Sequence, residues 1–346
     1  MGKNIVKNIL ALASNYSTLF VDVYGVLFDG FSMYSHVLNA LENLKKNGKR
    51  IVIISNSSQV SSDAKAGYAR RGMIQEIHYD KFITSGEFLH YLIKEAPEKF
   101  SKAINMNAMT YKCIFIGNES VFHETFLQKA DLPSADFLYV GIPRVSYGSV
   151  RIDDVLDASG RKVNIEDVVC SNWNELRDSQ GRKGFKEFQY YLEKCLEKNK
   201  TLLVANPDIF STQGIANHDR GYVLIVTQGA IGLHYQKMGG KTIFLGKPYS
   251  GIFKYAQQII DCPKPILMVG DTPWTDIAGA NAVGIDSAMT VSTGIASHLI
   301  KSMDNSFDIE KKLDYLFGGI SEKMLVTRGN TKPTYLVHQF ATGGAI

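Results

Sequence analysis

Short apolar runs recur along this chain, and most of them end in a polar residue. Leu19–Val21, Ile51–Ile54, Phe82–Ile83 and Cys113–Ile116 are such runs. Between them lie segments whose apolar positions fall three and four residues apart, the spacing of one helix face. The pattern predicts strands over 19–24, 50–55, 81–84 and 112–116, with helices over 36–47, 60–71 and 86–95 between them. Strands alternating with helices form a parallel, doubly wound α/β sheet, because each crossover brings the chain back through a helix. Two later runs, 242–246 and 266–270, lead into Lys247 and Asp271.

The stretch from Ser58 to Lys247 is far longer than one crossover needs, so it must hold a further folded unit. Within it, residues 145–184 are irregular, with Ser-Tyr-Gly, Ala-Ser-Gly and Ser-Gln-Gly turns. Near the start, Ile5, Val6, Ile9, Leu10 and Leu12 recur as a helical face. Near the end, Ile309 to Phe317 reads as helix, and Ala341-Thr-Gly-Gly-Ala-Ile as a flexible end.

Composition adds exclusions. The net charge is +4 and the basic residues are dispersed, whereas a nucleic-acid binder needs them on one face. No apolar run reaches the length of a membrane helix. The run Ile9–Ala13 is too short for an export core. The cysteines, at 113, 170, 195 and 262, form no metal-ligand spacing and read as reduced thiols of a cytoplasmic protein. The histidines are scattered and are expected to bind no metal, with His218 and His234 the two that can face a cleft.

Candidate chemistry sits at the strand ends. Val21 gives way to Asp22, with Gly25 three residues on. Open α/β sheets place ligands at their carboxyl edge, so a carboxylate delivered there can attack phosphorus or carbon, or bind a metal. The second run ends in Ser55-Asn56-Ser57-Ser58, a set of donors for anionic oxygens. Lys247 supplies a cation before Pro248. Gly270-Asp271 and Asp276 supply paired carboxylates, oxygen ligands of the kind Mg²⁺ prefers. Thr275 or Asp276 can alternatively cap the helix that starts near Ile277. Asn206-Pro207-Asp208 follows another apolar run, Leu202–Ala205, and reads equally as a plain turn.

These motifs, in this order, resemble the haloacid dehalogenase superfamily of aspartate-nucleophile hydrolases. The fit is closest to its class IIA phosphatases, through Gly30, Ser55-Asn56-Ser57-Ser58, Thr84-Ser85, Ala205-Asn206-Pro207-Asp208 and Gly246-Lys247-Pro248. The resemblance spans roughly residues 15–300. It implies a Rossmann-like core over 1–108 and 242–346, and a large inserted α/β cap over 109–241. It implies that Asp22 is the nucleophile, that Ser55 and Asn56 bind the phosphoryl oxygens, and that Lys247 neutralises charge. Mg²⁺ would be held by Asp22, Asp271, Asp276 and the Tyr24 backbone carbonyl. The loop with Asn206 and Asp208 would help select substrate, and two caps would pair in a homodimer.

One departure matters. The family's second aspartate, which protonates the leaving group and then activates water, is Tyr24 here. A phenol titrates near ~10 and a carboxyl near ~3.9, so Tyr24 is a poor base at neutral pH. It reads equally as a gate or packing residue that acts only through its carbonyl. The expected function is a slow Mg²⁺-dependent hydrolase of a small phosphorylated metabolite, working through an aspartyl phosphate. Two alternatives follow from the same residue: a ligand- or partner-binding pseudoenzyme, and a carbon–halogen hydrolase, since 2-haloacid dehalogenases carry Asp-x-Tyr-Gly.

Overall fold

In this computed structural model the described residues are 5–104, 110–117, 122–123, 126–141, 144–145, 148–149, 155–157, 159–163, 173, 175–178, 185–214, 222–304, 306–320 and 329–341. The fold is α/β, built on two parallel sheets. The first has six strands. At its middle is β1 (Thr18–Val21), whose four residues are all buried. On one side β1 pairs with β2 (Arg50–Ser55), and β2 with β3 (Lys81–Thr84). On the other side lie Ile266–Gly270, then Asp286–Thr290, then Tyr335–Val337. Every pairing in this sheet is parallel, so all strands deliver their carboxyl ends to one edge.

The period-two geometry of strands sorts their side chains onto two faces. Phe20, Val52, Ile54 and Met268 point to one face, where Phe88, Leu89, Ile252 and Phe253 pack on them. Leu19, Val21, Ile51, Ile53, Leu267 and Val269 point to the other, against Ile9, Val37, Leu41 and Leu44. With helices on both faces the strands are apolar throughout, which is why they read as continuous apolar runs.

Helices α1 (Ile9–Ala13), α2 (Val37–Lys46), α3 (Ser61–Ala69) and α4 (Ser85–Lys94) lie near their predicted positions. Thr84 caps α4, its hydroxyl accepting the Glu87 N–H at 2.9 Å. Three expectations need correction. The first strand stops at Val21 instead of reaching Tyr24, because Gly25 turns the chain at φ +79° and donates its N–H to the Phe28 carbonyl at 2.8 Å. Ile5 and Val6 precede the helix instead of joining it: Val6 bridges to Val337 at the sheet edge. The tail contributes that edge strand, Tyr335–Val337, which the sequence pattern did not suggest. Residues 342–346 of the expected flexible end lie outside the described residues.

The second sheet has five strands, again all parallel, in the order Thr242–Phe244, Thr201–Val204, Phe137–Val140, Lys112–Ile116, Gln128–Lys129. The chain enters it after β3 and α4 and returns to the first sheet only at Ile266, so the second sheet is inserted into the first. The strand Thr242–Phe244, expected to belong with the core, closes this second sheet instead by pairing with Leu202–Val204. An antiparallel hairpin, Phe210–Gly214 with Tyr222–Val226, follows the strand at 201–204. Of the irregular stretch 145–184, the described parts include one short antiparallel pair, Val155–Leu156 with Arg177–Asp178, and most of the rest lies outside the described residues.

Phe20 is fully buried at the centre of the first sheet and packs on Phe253. Phe20→Ala should cost about 3–5 kcal/mol, read from the denaturant midpoint. The exposed Ile309, changed to Ala, should shift stability by less than about 0.5 kcal/mol.

Candidate active site

The carboxyl edges of the two sheets meet. From the first come Asp22, just past β1, Ser55 at the end of β2, and Asp271, just past Ile266–Gly270. From the second come Asn206–Asp208, just past Thr201–Val204, and Lys247, just past Thr242–Phe244. Asp22 is anchored through its backbone N–H to the Val269 carbonyl at 2.9 Å.

Lys247 is the centre of the assembly. It is only 1% exposed. Its ammonium donates to Asp22 Oδ1 at 2.6 Å and to the Ile54 carbonyl at 2.9 Å. Asp276 Oδ1 lies 2.7 Å away, as an ion pair without hydrogen-bond alignment. Burial works against its charge, but Asp22, Asp276 and Asp208 overcome this and hold its pKa above the usual lysine value.

Asp22, Asp271 and Asp276 are all buried, and one oxygen of each lies within 4.8 Å of the others. Two hydrogen bonds fix Asp271: Ile295 N–H to Oδ2 at 2.6 Å and the Thr272 hydroxyl to Oδ1 at 2.9 Å. Gly25 and Gly294 close on it so tightly that a Cβ at either would stand 2.1 or 2.0 Å from Asp271 Oδ2. Both glycines also have positive φ, so neither position takes another residue without strain. Asp276 Oδ2 accepts from the N–H groups of Asp271 and Thr272, both at 3.1 Å. It thus braces the strand end from which Asp271 projects, a different task from the helix cap that the sequence also allowed.

The electrostatics follow from the count of charges. Burial, then the Asp276 charge, push the Asp22 pKa up to about 8. Burial and the neighbouring carboxylates push Asp271 well above the ordinary range. Three clustered carboxylates with one ammonium leave an uncompensated negative charge away from water. An all-oxygen, anionic cluster is what a hard divalent cation such as Mg²⁺ binds, so the residues present fit that ion.

Asn56 has a different place from the one expected. Its side-chain N–H groups donate to the Lys247 carbonyl and to Asp208 Oδ1, both at 2.9 Å, and its Oδ1 accepts the Lys247 N–H at 2.7 Å. Its amide is therefore committed to the Lys247 loop and to the second sheet. Ser55 is buried, and its hydroxyl accepts the Ser57 N–H at 3.2 Å. Asn206 Oδ1 accepts the Asp208 N–H at 2.9 Å, folding the loop back on itself. Asp208 faces the site: burial raises its pKa to about 6, while Lys247, Asn56 and Thr275 lower it.

Tyr24 stands at the rim, 36% exposed, its ring edge-on to Phe28 at 5.3 Å. Its pKa is raised, first by loss of water, while the neighbouring Tyr68 and Arg71 act to lower it. His234 is away from this cleft, stacked on Trp173 at 4.1 Å and bonded to Gln189 at 2.7 Å. His218 lies outside the described residues. Sequence reasoning missed Gly294 and the buried Gln228–Ser58 hydrogen bond, 3.1 Å long, that ties the second unit to the Ser55–Ser58 loop. Only Gly294 left a signal, a glycine shortly after a strand.

Residues 19–132 match the family model described as haloacid dehalogenase-like hydrolase, and residues 244–309 match the one described as HAD-hydrolase-like. This chain belongs to the haloacid dehalogenase-like hydrolases. Solved structures share the fold of this hydrolase along nearly all of its length. A haloacid dehalogenase-like hydrolase from Brucella suis 1330 is 20% identical, over 97% of this chain and 99% of its own, with a TM-score of 0.65. A p-nitrophenyl phosphatase from Archaeoglobus fulgidus is 20% identical, over 95% and 98%, with a TM-score of 0.57. A glycerol phosphate phosphatase from Mycobacterium tuberculosis, in complex with calcium, is 17% identical over 95% and 75%, with a TM-score of 0.56. No curated protein matches the sequence. No described helix of the hydrolase is long and apolar enough to cross a membrane.

Asn56→Ala removes four hydrogen bonds, one of them from the Ser85 hydroxyl at 3.4 Å, and leaves buried Lys247 backbone groups without those partners. It should destabilise the protein by about 2–4 kcal/mol, read from denaturant unfolding.

Proposed function

We propose that this hydrolase cleaves a phosphate ester of a small metabolite, with Asp22 as nucleophile and Mg²⁺ held by Asp22, Asp271 and the Tyr24 carbonyl. The observation that carries this reading is the buried cluster itself: a lysine 2.6 Å from Asp22, inside three carboxylates that it does not neutralise. The assembled acidic cluster favours phosphoryl transfer over carbon–halogen hydrolysis, which needs no metal. Structures of similar fold include named phosphatases, one of them seen with magnesium. The same pairing of nucleophile and lysine supports an enzyme over a binding protein that has lost turnover.

In this reading Lys247 orients Asp22 and favours its ionised form against the effect of burial, and its positive charge faces the incoming phosphoryl oxygens. Ser55 lies beside them at the end of β2. Bound Mg²⁺ would offset the repulsion between the phosphate and Asp22. Asp271 would hold the ion directly, while Asp276, whose oxygens face two N–H groups and Lys247, keeps Asp271 and the lysine in place. The inserted unit acts as a cap, and its Asn206–Asp208 loop meets the substrate from the side opposite Asp22. Attack by Asp22 gives an aspartyl phosphate. Its hydrolysis is slow, because Tyr24 supplies no carboxylate to draw a proton from water.

Two outcomes test this. The Asp22 pKa of the metal-free fold, about 8, lies above the unfolded value of ~3.9. The fold then holds a proton that the unfolded chain has lost. This group's contribution to stability is therefore greatest below about pH 4 and falls as pH rises to about 8. Added Mg²⁺, which needs ionised carboxylates, should raise Tm more near pH ~8 than near pH ~5. Equal shifts at both values, or none, count against a metal site here.

The second outcome is kinetic. Mixing the enzyme with nitrophenyl phosphate and Mg²⁺ should release about one equivalent of nitrophenolate in a burst, then turn over slowly. Tyr24→Asp should raise the steady rate by about 10²-fold or more, and Asp22→Asn should abolish both phases. Fast steady turnover without a burst would show that another group activates the water.

A further inference from the structure

At Ser55 the chain leaves β2, and past that point its peptide groups need partners other than a neighbouring strand. Those partners come from both units of the molecule. The first sheet's side holds residues 57 and 59. The Ser57 carbonyl accepts the Gly86 N–H at 3.1 Å, and the Gln59 carbonyl accepts the Thr84 hydroxyl at 2.6 Å. The inserted unit grips residues 56 and 58. Asn56 is bound to Asp208 and to the Lys247 backbone, and more loosely to the Ser85 hydroxyl. Ser58 is held twice: its hydroxyl accepts the Gln228 side-chain N–H at 3.1 Å, and its carbonyl accepts from His123 Nε2 at 2.5 Å.

His123 is buried, and its aim is fixed from several directions. Its own carbonyl accepts the N–H groups of Phe126 and Leu127, at 3.2 and 2.9 Å, in a turn that leads into the second-sheet strand Gln128–Lys129. Its ring stacks on Phe126 at 5.0 Å, and Phe126 stacks on His90 of α4 at 4.8 Å. The Ser58 carbonyl is equally confined, because a Cβ on Gly86 would stand 2.1 Å from its oxygen. A carbonyl only accepts, so His123 Nε2 must carry a proton. A phenyl ring would keep the stack on Phe126. Only the imidazole keeps the donor as well.

We propose that His123 is a positioning residue for the phosphoryl-binding loop: by holding the Ser58 carbonyl it fixes the backbone that presents Ser55 to the substrate. This rests on the phosphatase reading above. The Ser55 hydroxyl accepts the Ser57 N–H at 3.2 Å, so a shift at residues 57–58 is carried into Ser55's own contact. Gln228 grips the hydroxyl of the same Ser58, so two separate stretches of the inserted unit set the loop at one residue. His123 acts on the reaction only through Ser58. Releasing that carbonyl lets the loop relax, and a misplacement of about 1 Å can cost about 10²-fold in rate. Asp22 and Asp271 follow other strands of the sheet, so metal binding is left intact.

The test compares His123→Phe with His123→Gln in the full chain. Phe keeps a stacking ring and removes the donor, whereas Gln removes the ring and returns an N–H at similar reach. Three quantities are read: kcat/KM for nitrophenyl phosphate in Mg²⁺, the affinity for inorganic phosphate by calorimetry, and the Tm shift caused by Mg²⁺ alone. His123→Phe should lower kcat/KM by about 10–10²-fold and weaken phosphate binding, with the Mg²⁺ shift unchanged. His123→Gln should recover most of both losses. Full activity in His123→Phe, or equal losses in the two variants, overturns the inference. So does a loss of activity that comes with loss of the Mg²⁺ shift. If His123→Phe does not fold, Gln228→Leu, which frees the Ser58 hydroxyl, should lower kcat/KM and phosphate affinity with the Mg²⁺ shift intact, and full activity there overturns the inference. If the wild type binds phosphate without turning over the ester, the phosphatase reading fails and the variants' phosphate affinities decide the loop by themselves. If it neither turns over nor binds phosphate, both fail together.

Discussion

A lysine ammonium is held away from water between two aspartates, and the active-site end of this molecule is organised around that fact. Lys247 is 1% exposed and lies 2.6 Å from Asp22 and 2.7 Å from Asp276. Removing one partner of a buried pair leaves a stranded charge, at a cost of about 3–5 kcal/mol, while apolar residues of equal volume would often hold a fold as well. Such a group therefore contributes little net stability for its demands on the chain. It is better explained by what it does to Asp22, which it keeps oriented and polarised at a sheet edge.

Placing that lysine needs both sheets. Lys247 comes from the inserted sheet, and the carboxylates it serves come from the first. Asn56 makes the join, holding the Lys247 backbone at both its N–H and its carbonyl while reaching Asp208. Gly246 permits this closeness: it has φ +120°, and a Cβ there would stand 2.5 Å from Asn56 Oδ1. A movement of the inserted unit would thus be felt at the lysine through one buried amide. The proposed substrate-selecting loop and the proposed charge-neutralising group are thus tied to the same side chain.

The first sheet was largely legible in the sequence because its strands are covered on both faces. Leu19–Val21, Ile51–Ile54 and Ile266–Val269 have no solvent side to interrupt their apolar runs. Asp22, Ser55 and Asp271 stand out because each comes at the end of such a run. What was hidden depended on partners distant in sequence. Thr242–Phe244 looks like any other buried strand, and only its pairing with Leu202–Val204 assigns it to the second sheet. Asn56 looked like a phosphate donor because its neighbour Ser55 does, and its real contacts lie with residues 208 and 247. The edge strand Tyr335–Val337 is too short to stand out.

At Tyr24 the backbone and the side chain have separate surroundings. The turn at Gly25 sets where residue 24 stands, so its carbonyl stays available to the same edge whichever side chain is present. The side chain is free to vary, and here it has been drawn into the Phe28–Tyr68 wall. In the proposed mechanism the backbone carbonyl keeps its part in holding the ion, while the side chain offers no carboxylate for proton transfer. A carboxylate at this point would add a further negative charge within reach of Asp22, whose own charge already acts to raise the Tyr24 pKa. A neutral phenol adds no such charge beside the Asp22–Lys247 pair, whose 2.6 Å contact is left undisturbed.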